Sequence, residues 1–345
     1  MTFFFFMLFL AFNVLLVFFS ENWLLIWVWL ECITYSLVVL LQPDKHTVRS
    51  VEALGKYFVL QAVASVVLLF GIILRFGDTN TFLLVGSYGS FSYFLILVGI
   101  MIKLAVFPSP HWFIDVVSGL TLTNSFLVII ISKLAPIYLF FILGDKSQFW
   151  VFSIVGIASV LFGSALGVNQ TNLRKIVSYS SVANLGWFIL CGPFISGISM
   201  GFCFLGYGFT VWVLLWSVSW HSPNQLVDNS RVSGSAWAFM LTLFSLLSLG
   251  GLPPFLGFFI KWQLLQGVIS GGLYWVCVFL ILSSLLSLYF YLMTFYSVFG
   301  LVWPRSRNFG LLGSVRQGLV FSSIGCFMAF GAVGPWLVGP LFYGV

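Results

Sequence analysis

The chain has 345 residues, of which 61% are hydrophobic, 19% aromatic and only 6% charged. A soluble globular domain carries about 25% charged residues, so this composition excludes one. The formal charge of +6 is scattered between apolar runs, which argues against a nucleic-acid partner and for a lipid bilayer.

Apolar runs of membrane length recur from end to end. The fold class expected is therefore all-α, a polytopic transmembrane bundle of about eleven helices. The N-terminal MTFFFFMLFLAFNVLLVFF has neither the basic start and small-residue cleavage site of a signal peptide nor the arginines of a transit peptide. It reads as the first retained helix, near 3–19, with others near 23–41, 55–75, 82–107, 120–143, 149–166, 175–195, 199–219, 236–266, 273–299 and 318–340. The polar joints at 42–56, 169–175, 221–231 and 303–308 are too short to separate soluble domains, so residues 1–345 read as one membrane domain. Alternate joints put Lys45, Arg49, Lys56, Arg174, Lys175, Arg231, Arg305, Arg307 and Arg316 on one side, against Arg75 and Lys146 on the other. By the positive-inside tendency the N-terminus shares the cytoplasmic or matrix side with that basic group, and the C-terminus lies opposite.

Two segments are interrupted. The ninth, within 236–266, is too long for one upright helix and is broken by Gly250, Gly251, Pro253 and Pro254, with Lys261 two turns beyond. The fourth carries Lys103 followed by Pro108 and Pro110 in KLAVFPSPHWFIDVV. Interruptions at matching places in two five-helix units point to inverted repeats, about 1–143 and 149–300, with a single C-terminal helix at about 318–340.

Four ionisable residues lie inside apolar runs: Glu31, Lys103, Lys133 and Lys261. A charge at membrane depth costs roughly 2.5–3.5 kcal/mol on insertion scales, so each needs a partner, water or a role. One carboxylate and three lysines divide into one ion pair and two lysines without a carboxylate. Burial disfavours the charged lysine and a nearby carboxylate favours it, so such a lysine can load and release a proton. Arginine could not. Static salt bridges fixing helix order, or a lysine snorkelling to the interface, are the structural alternatives. In KIVSYSSVANLGW, Ser178, Ser181 and Asn184 recur every three residues, a stripe suited either to holding water or to close helix packing. The cysteines Cys32, Cys191, Cys203, Cys277 and Cys326 lack C-x-x-C spacing, and His46, His111 and His221 are dispersed. No phosphate loop or redox-cofactor motif occurs, so no metal or cofactor site is expected in this chain.

The strings SVEALGKYFVLQA (50–62), NQTNLRKIVSYSSVANLGW (169–187), SLGGLPPFLGFFIKW (248–262) and LYFYL (288–292) resemble the antiporter-like membrane subunits of proton-pumping NADH:ubiquinone oxidoreductase, respiratory complex I. The shorter N-terminus resembles the subunit 2 family of animal mitochondria, with similarity along nearly the whole chain. The resemblance implies two inverted five-helix repeats and a proton relay comprising a glutamate–lysine pair, a central lysine and a terminal lysine. Carried over by motif, these are Glu31 in WLE, Lys103 in KLAVFP, Lys133 in SKLAP and Lys261 in GFFIKW. It also implies the mitochondrial inner membrane, with the N-terminus in the matrix and the C-terminus in the intermembrane space. Other complex I membrane subunits become the expected partners. NADH, FMN, iron–sulfur clusters and ubiquinone are expected in partner subunits. Three positions depart from the family pattern: His111 is shifted by one place, Asn184 stands where a histidine is common, and Met293 where an arginine is common. The alternatives from other classes are a stand-alone cation/proton antiporter and a non-pumping scaffold.

Overall fold

The computed structural model describes residues 2–42, 47–86, 88–144, 149–219 and 236–302. Helix dominates, and among the described residues β pairing is limited to one isolated bridge, between Asn22 and Leu83. The chain divides into two compact units, Met1–Gln148 and Phe149–Val345.

The first unit contains α1 (Thr2–Phe19), α2 (Trp23–Leu40), α3 (Val48–Thr79), α4 (Ser90–Leu104), α5 (His111–Gly119), α6 (Leu122–Phe126) and α7 (Ser132–Leu143). A π-helical turn, Leu127–Ile131, joins α6 to α7. Local chemistry sets several of these ends. Asn22 caps α2 by accepting from the Leu24 N–H at 3.0 Å. Thr47 caps α3, which runs to Asn80 in the left-handed conformation (φ 53°) that commonly closes a helix. Helix α3 is therefore longer than the 55–75 expected, because its first two turns are polar and an apolar window misses them. Arg49 and Lys56 lie in those turns, and Lys56 pairs with Glu52 at 2.7 Å and Asp115 at 3.3 Å. At the other end Arg75 is not a joint charge but a buried side chain, 1% exposed. It donates to the Leu83 carbonyl and lies 4.0 Å over the Tyr88 ring. The fourth segment begins at Ser90 rather than near 82, since Phe82 and Leu84 instead brace the start of α2 through Trp23 N–H to Phe82 O (2.8 Å) and Leu84 N–H to Glu21 O (2.7 Å).

The second unit contains α8 (Phe149–Gly167), α9 (Leu173–Cys191), a short 3₁₀ turn, α10 (Gly197–Ser219), α11 (Ala236–Gly250), α12 (Leu256–Ser270) and α13 (Tyr274–Val302). Helices α8 and α9 approach through small residues. A Cβ on Gly163 would lie 2.6 Å from Tyr179 O, and one on Gly156 would meet Leu190. Helix α12 packs against α9, α10, α11 and α13.

Seven helices among the described residues are long and apolar enough to cross a membrane. Adding α1 and the two interrupted pairs, α4–α5 and α11–α12, accounts for the first ten expected segments. The C-terminal helix expected at about 318–340 lies outside the described residues, as do the joints 221–231 and 303–308. So do Lys45, Lys146, Arg231, Arg305, Arg307, Arg316, His46, His221 and Cys326. The surface is apolar where it faces outward, with Phe4 69%, Phe19 81% and Trp275 83% exposed, while Lys103 and Lys133 are at most 2% exposed. That inversion is what a bilayer solvent selects.

Both interruptions use one hydrogen-bond device. After α4, the Ala105 N–H donates to Ile102 O (3.1 Å) and the Val106 N–H to Met101 O (3.3 Å). After α11, the Gly251 N–H donates to Ser248 O (3.0 Å) and the Leu252 N–H to Leu247 O (3.3 Å). Each is a Schellman closure with its residue in positive φ, Ala105 at 58° and Gly251 at 84°, followed by the prolines. Ala105 bears a Cβ there, a conformation that costs an L-residue about 1–2 kcal/mol. Helix α12 then restarts so close to α11 that a Cβ on Gly257 would overlap the Ser248 carbonyl oxygen. Gly257→Ala should therefore push α12 off α11, an overpacking penalty of about 1–3 kcal/mol. The measurement is the yield of intact protein extracted in mild detergent; yield equal to wild type would show that α12 has room to shift.

Candidate functional site

In the first unit the fourth helix ends one residue after Lys103, so its ammonium sits at the negative end of the helix dipole. Its Nζ lies 3.6 Å from Glu31 Oε1 on α2, with the lysine 2% and the glutamate 19% exposed. The pair is an ion pair without a normal hydrogen bond: neither Lys103 Nζ nor Glu31 Oε1 has a hydrogen-bond partner among the described residues. Glu21, Glu52, Asp78 and Asp115 are all exposed, which leaves Glu31 as the one described carboxylate held inside the bundle.

Lys133 is the second residue of α7, one residue past the π-helical turn, and α7 carries Pro136 one turn later. The proline removes a donor, so the Ser132 carbonyl loses its helical partner. The lysine is 1% exposed and has no hydrogen-bond partner for Nζ among the described residues. Instead the ammonium stands 3.5 Å from the centroid of the Phe113 ring. Phe113 is on the first turn of α5, so the interruption after Lys103 is what delivers an aromatic face to Lys133. Such a contact contributes about 2 kcal/mol or more when desolvated. Nothing in the sequence pattern singled out Phe113.

In the second unit Lys261 lies on α12 and is half-buried. Its Nζ reaches back across the interruption to donate to Gly250 O at 3.2 Å and to Ser287 Oγ on α13 at 3.2 Å. Gly250 is the last residue of α11, so the lysine satisfies a carbonyl that the break would otherwise leave open. Gly251 gives it space, since a Cβ there would sit 3.2 Å from Nζ. Lys261 also lines a cavity of about 20 Å³ together with Asn184, Tyr207 and Thr210.

The remaining expected residues divide. Ser178 and Ser181 on α9 are fully buried, and their hydroxyls donate to the carbonyls three residues back, Lys175 O and Ser178 O, each at 2.7 Å. Those protons are committed to their own helix, which is the packing use of the stripe. Asn184, the third member, is the one that reaches the Lys261 cavity. His111 is exposed at the start of α5. Pro108 and Pro110 follow the first closure, and Pro253 and Pro254 the second. The structure thus brings together Glu31 with Lys103, Lys133 with Phe113, and Lys261 with Asn184. Cys32, Cys191, Cys203 and Cys277 are free thiols.

A sequence profile described as NADH:quinone oxidoreductase/Mrp antiporter, TM matches residues 20–287. NADH-ubiquinone oxidoreductase chain 2 of Polypterus ornatipinnis is 32% identical over 308 residues, 89% of this chain and 88% of the relative. The chain of the same name from Anopheles gambiae is 33% identical, over 93% of this chain and 94% of its own length. Among solved structures, respiratory complex I from Thermus thermophilus with bound aureothin contains a chain that superposes with a TM-score of 0.83 at 25% identity. That match covers 98% of this chain and 79% of the other. The Mrp complex from Dietzia sp. DQ12-45-1b shares the fold, with a TM-score of 0.77 at 20% identity over 85% of this chain and 60% of the other. The chain belongs to the NADH:quinone oxidoreductase/Mrp antiporter family of membrane subunits.

Proposed function

We propose that this chain is a core membrane subunit of a proton-pumping NADH:ubiquinone oxidoreductase and carries protons on Glu31, Lys103, Lys133 and Lys261. The names of its relatives, NADH-ubiquinone oxidoreductase chain 2, support the assembly. One observation supports the relay: each of the three lysines is held by a partner that leaves its proton removable. Lys103 has a carboxylate 3.6 Å away, Lys133 a ring face, and Lys261 a carbonyl and a hydroxyl. A structural ion pair buried in lipid would use closer, hydrogen-bonded partners, because loose pairing rarely offsets desolvation. In this reading Glu31 modulates the protonation of Lys103, Lys133 relays, and Lys261 exchanges with the far side. NADH, FMN, iron–sulfur clusters and ubiquinone belong to partner subunits, with which this chain assembles in the mitochondrial inner membrane. The N-terminus lies in the matrix and the C-terminus in the intermembrane space. A stand-alone cation/proton antiporter is disfavoured because a cation site calls for several carboxylates, and Glu31 is the one described carboxylate inside the bundle.

Lys133 separates a relay from a scaffold. Lys133→Arg keeps a cation above Phe113 but cannot release its proton, and Lys133→Met removes charge and proton together. Both variants should assemble and lose pumping by about a hundredfold, the scale of a lost proton-transfer group. Pumping is measured in reconstituted complex and normalised to assembled complex; normal pumping by the methionine variant would end the relay role of this residue. A scaffold predicts the reverse pattern, with arginine restoring assembly and methionine abolishing it.

Glu31→Gln tests the modulator. It keeps the shape of the side chain and removes the charge facing Lys103. Expected is normal assembly with pumping per complex reduced about tenfold or more, whereas unchanged pumping would reassign Glu31 to structure alone.

A further inference from the structure

We propose that the cavity beside Lys261 is a water site, and that the Tyr207 hydroxyl positions a water there for proton exchange with the Lys261 amine. The inference rests on the reading of Lys261 as a proton carrier.

The space is large enough for a water. The cavity measures about 20 Å³, and one water needs roughly 10–15 Å³ and two to four polar partners. Most of the wall is apolar, with Trp187, Phe188 and Leu249 contributing, so a water here depends on a few groups. Thr210 is not one of its donors, because its hydroxyl already donates to Tyr207 O at 2.8 Å. Tyr207 is 4% exposed, and its hydroxyl has no hydrogen-bond partner among the described residues. Tyr291, Asn184 and Ser181 lie close to it, and none of them makes a hydrogen bond to its hydroxyl. Ser181 has committed its proton to Ser178 O. The tyrosine hydroxyl, the Asn184 amide and the lysine therefore remain to hold a water.

The contacts of Lys261 make that water the exit for its proton. An ammonium has three N–H donors, and two are directed at Gly250 O and Ser287 Oγ. Neither acceptor can pass a proton on. A peptide carbonyl has no proton of its own to hand on, and the Ser287 hydroxyl proton is already placed on Ser284 O at 2.8 Å. The third N–H is left for the cavity. When it is transferred, the water takes up this proton as it hands one of its own on toward the far side with which Lys261 exchanges. Lys–NH₃⁺ becomes Lys–NH₂, the water remains H₂O, and atoms and charge balance. The neutral amine keeps both N–H bonds to Gly250 and Ser287, and its new lone pair takes the direction of the departed proton. The site thus suits both protonation states without moving the lysine. Tyr207 holds the water oxygen in line with that N–H and acts as a positioning residue.

Tyr207→Phe tests this, because it removes one oxygen that makes no hydrogen bond among the described residues. In the intact reconstituted complex, the variant should assemble normally while pumping per complex falls about tenfold. The solvent deuterium isotope effect on turnover should rise, as exchange at Lys261 becomes slow. Tyr207→Leu should match it in pumping. If Tyr207→Phe restores what Tyr207→Leu loses, the residue is structural and the proposal is overturned. Lys261→Met is measured alongside. Normal pumping in Lys261→Met would overturn the proton-carrier reading itself. Lost pumping in Lys261→Met with normal pumping in Tyr207→Phe would overturn only the water-positioning role. A density map of the intact complex at a resolution that shows ordered waters should place one within hydrogen-bond reach of both Lys261 Nζ and Tyr207 Oη; a dry cavity there would overturn the proposal whatever the variants do.

Discussion

The rule that orders this molecule is that no backbone polar group or charge can be left to hydrocarbon. Among the described residues each unit contains one place where a helix stops within an apolar run, and each stop is closed by the same pair of back-bonds. Those bonds satisfy two of the final carbonyls, and the prolines beyond them have no N–H that would need a partner. At the second break a carbonyl still open takes a cation, because Lys261 reaches back to the last carbonyl of α11. Lys103 lies in the last turn of α4, at the negative end of that helix. At the second break the lysine and the interruption are thus one arrangement, since each lowers the cost of the other.

The two units nevertheless place their lysines differently about the break. In the first, Lys103 precedes it and the residues after it supply Phe113 to a second lysine. In the second, Lys261 follows the break and turns back to it, with Gly251 and Gly257 kept free of Cβ atoms so that the two half-helices can close. A lysine ahead of the break is held by a carboxylate on another helix. A lysine behind it is held by the break itself.

How much of this was legible in the sequence depends on how rare the signal is. Ionisable residues in apolar runs are rare in a chain with 6% charge, so Glu31, Lys103, Lys133 and Lys261 stood out; one ion pair followed from there being one such carboxylate, and Lys103 as the partner from the family resemblance. Gly-Gly and Pro-Pro marked the second break without ambiguity. Phe113 was not legible, because a break resets helical phase and one phenylalanine among 41 carries no signal. Tyr207 and Ser287 were hidden for the same reason, as ordinary residues of apolar helices made special by what faces them. Arg75 was assigned to a joint because hydropathy ends α3 too early. The helix continues to Thr79, and a loop folded back over the guanidinium removes it from solvent. The serines of α9 had the right spacing for a wet stripe, but spacing does not report where hydroxyl protons point.

Under the proposed relay the three lysines are unequal in how an outside input can reach them. A ring face and a carbonyl are neutral, and their hold on a cation falls off quickly with distance. Glu31 carries full charge. At the observed 3.6 Å separation, and with an effective dielectric of about 20, its attraction for Lys103 is about 4–5 kcal/mol. Doubling the separation at the same dielectric halves that, a change of about 2.3 kcal/mol. Moving one elementary charge against 100 mV also requires about 2.3 kcal/mol. A displacement of α2 against α4 by a few ångströms is therefore of the right size to drive one proton step, and no comparable change is available at Lys133 or Lys261 from their neutral partners. The carboxylate–lysine pair is where a conformational or electrostatic signal from a neighbouring subunit would act most strongly. The neutral contacts downstream suit lysines that pass protons on without storing them.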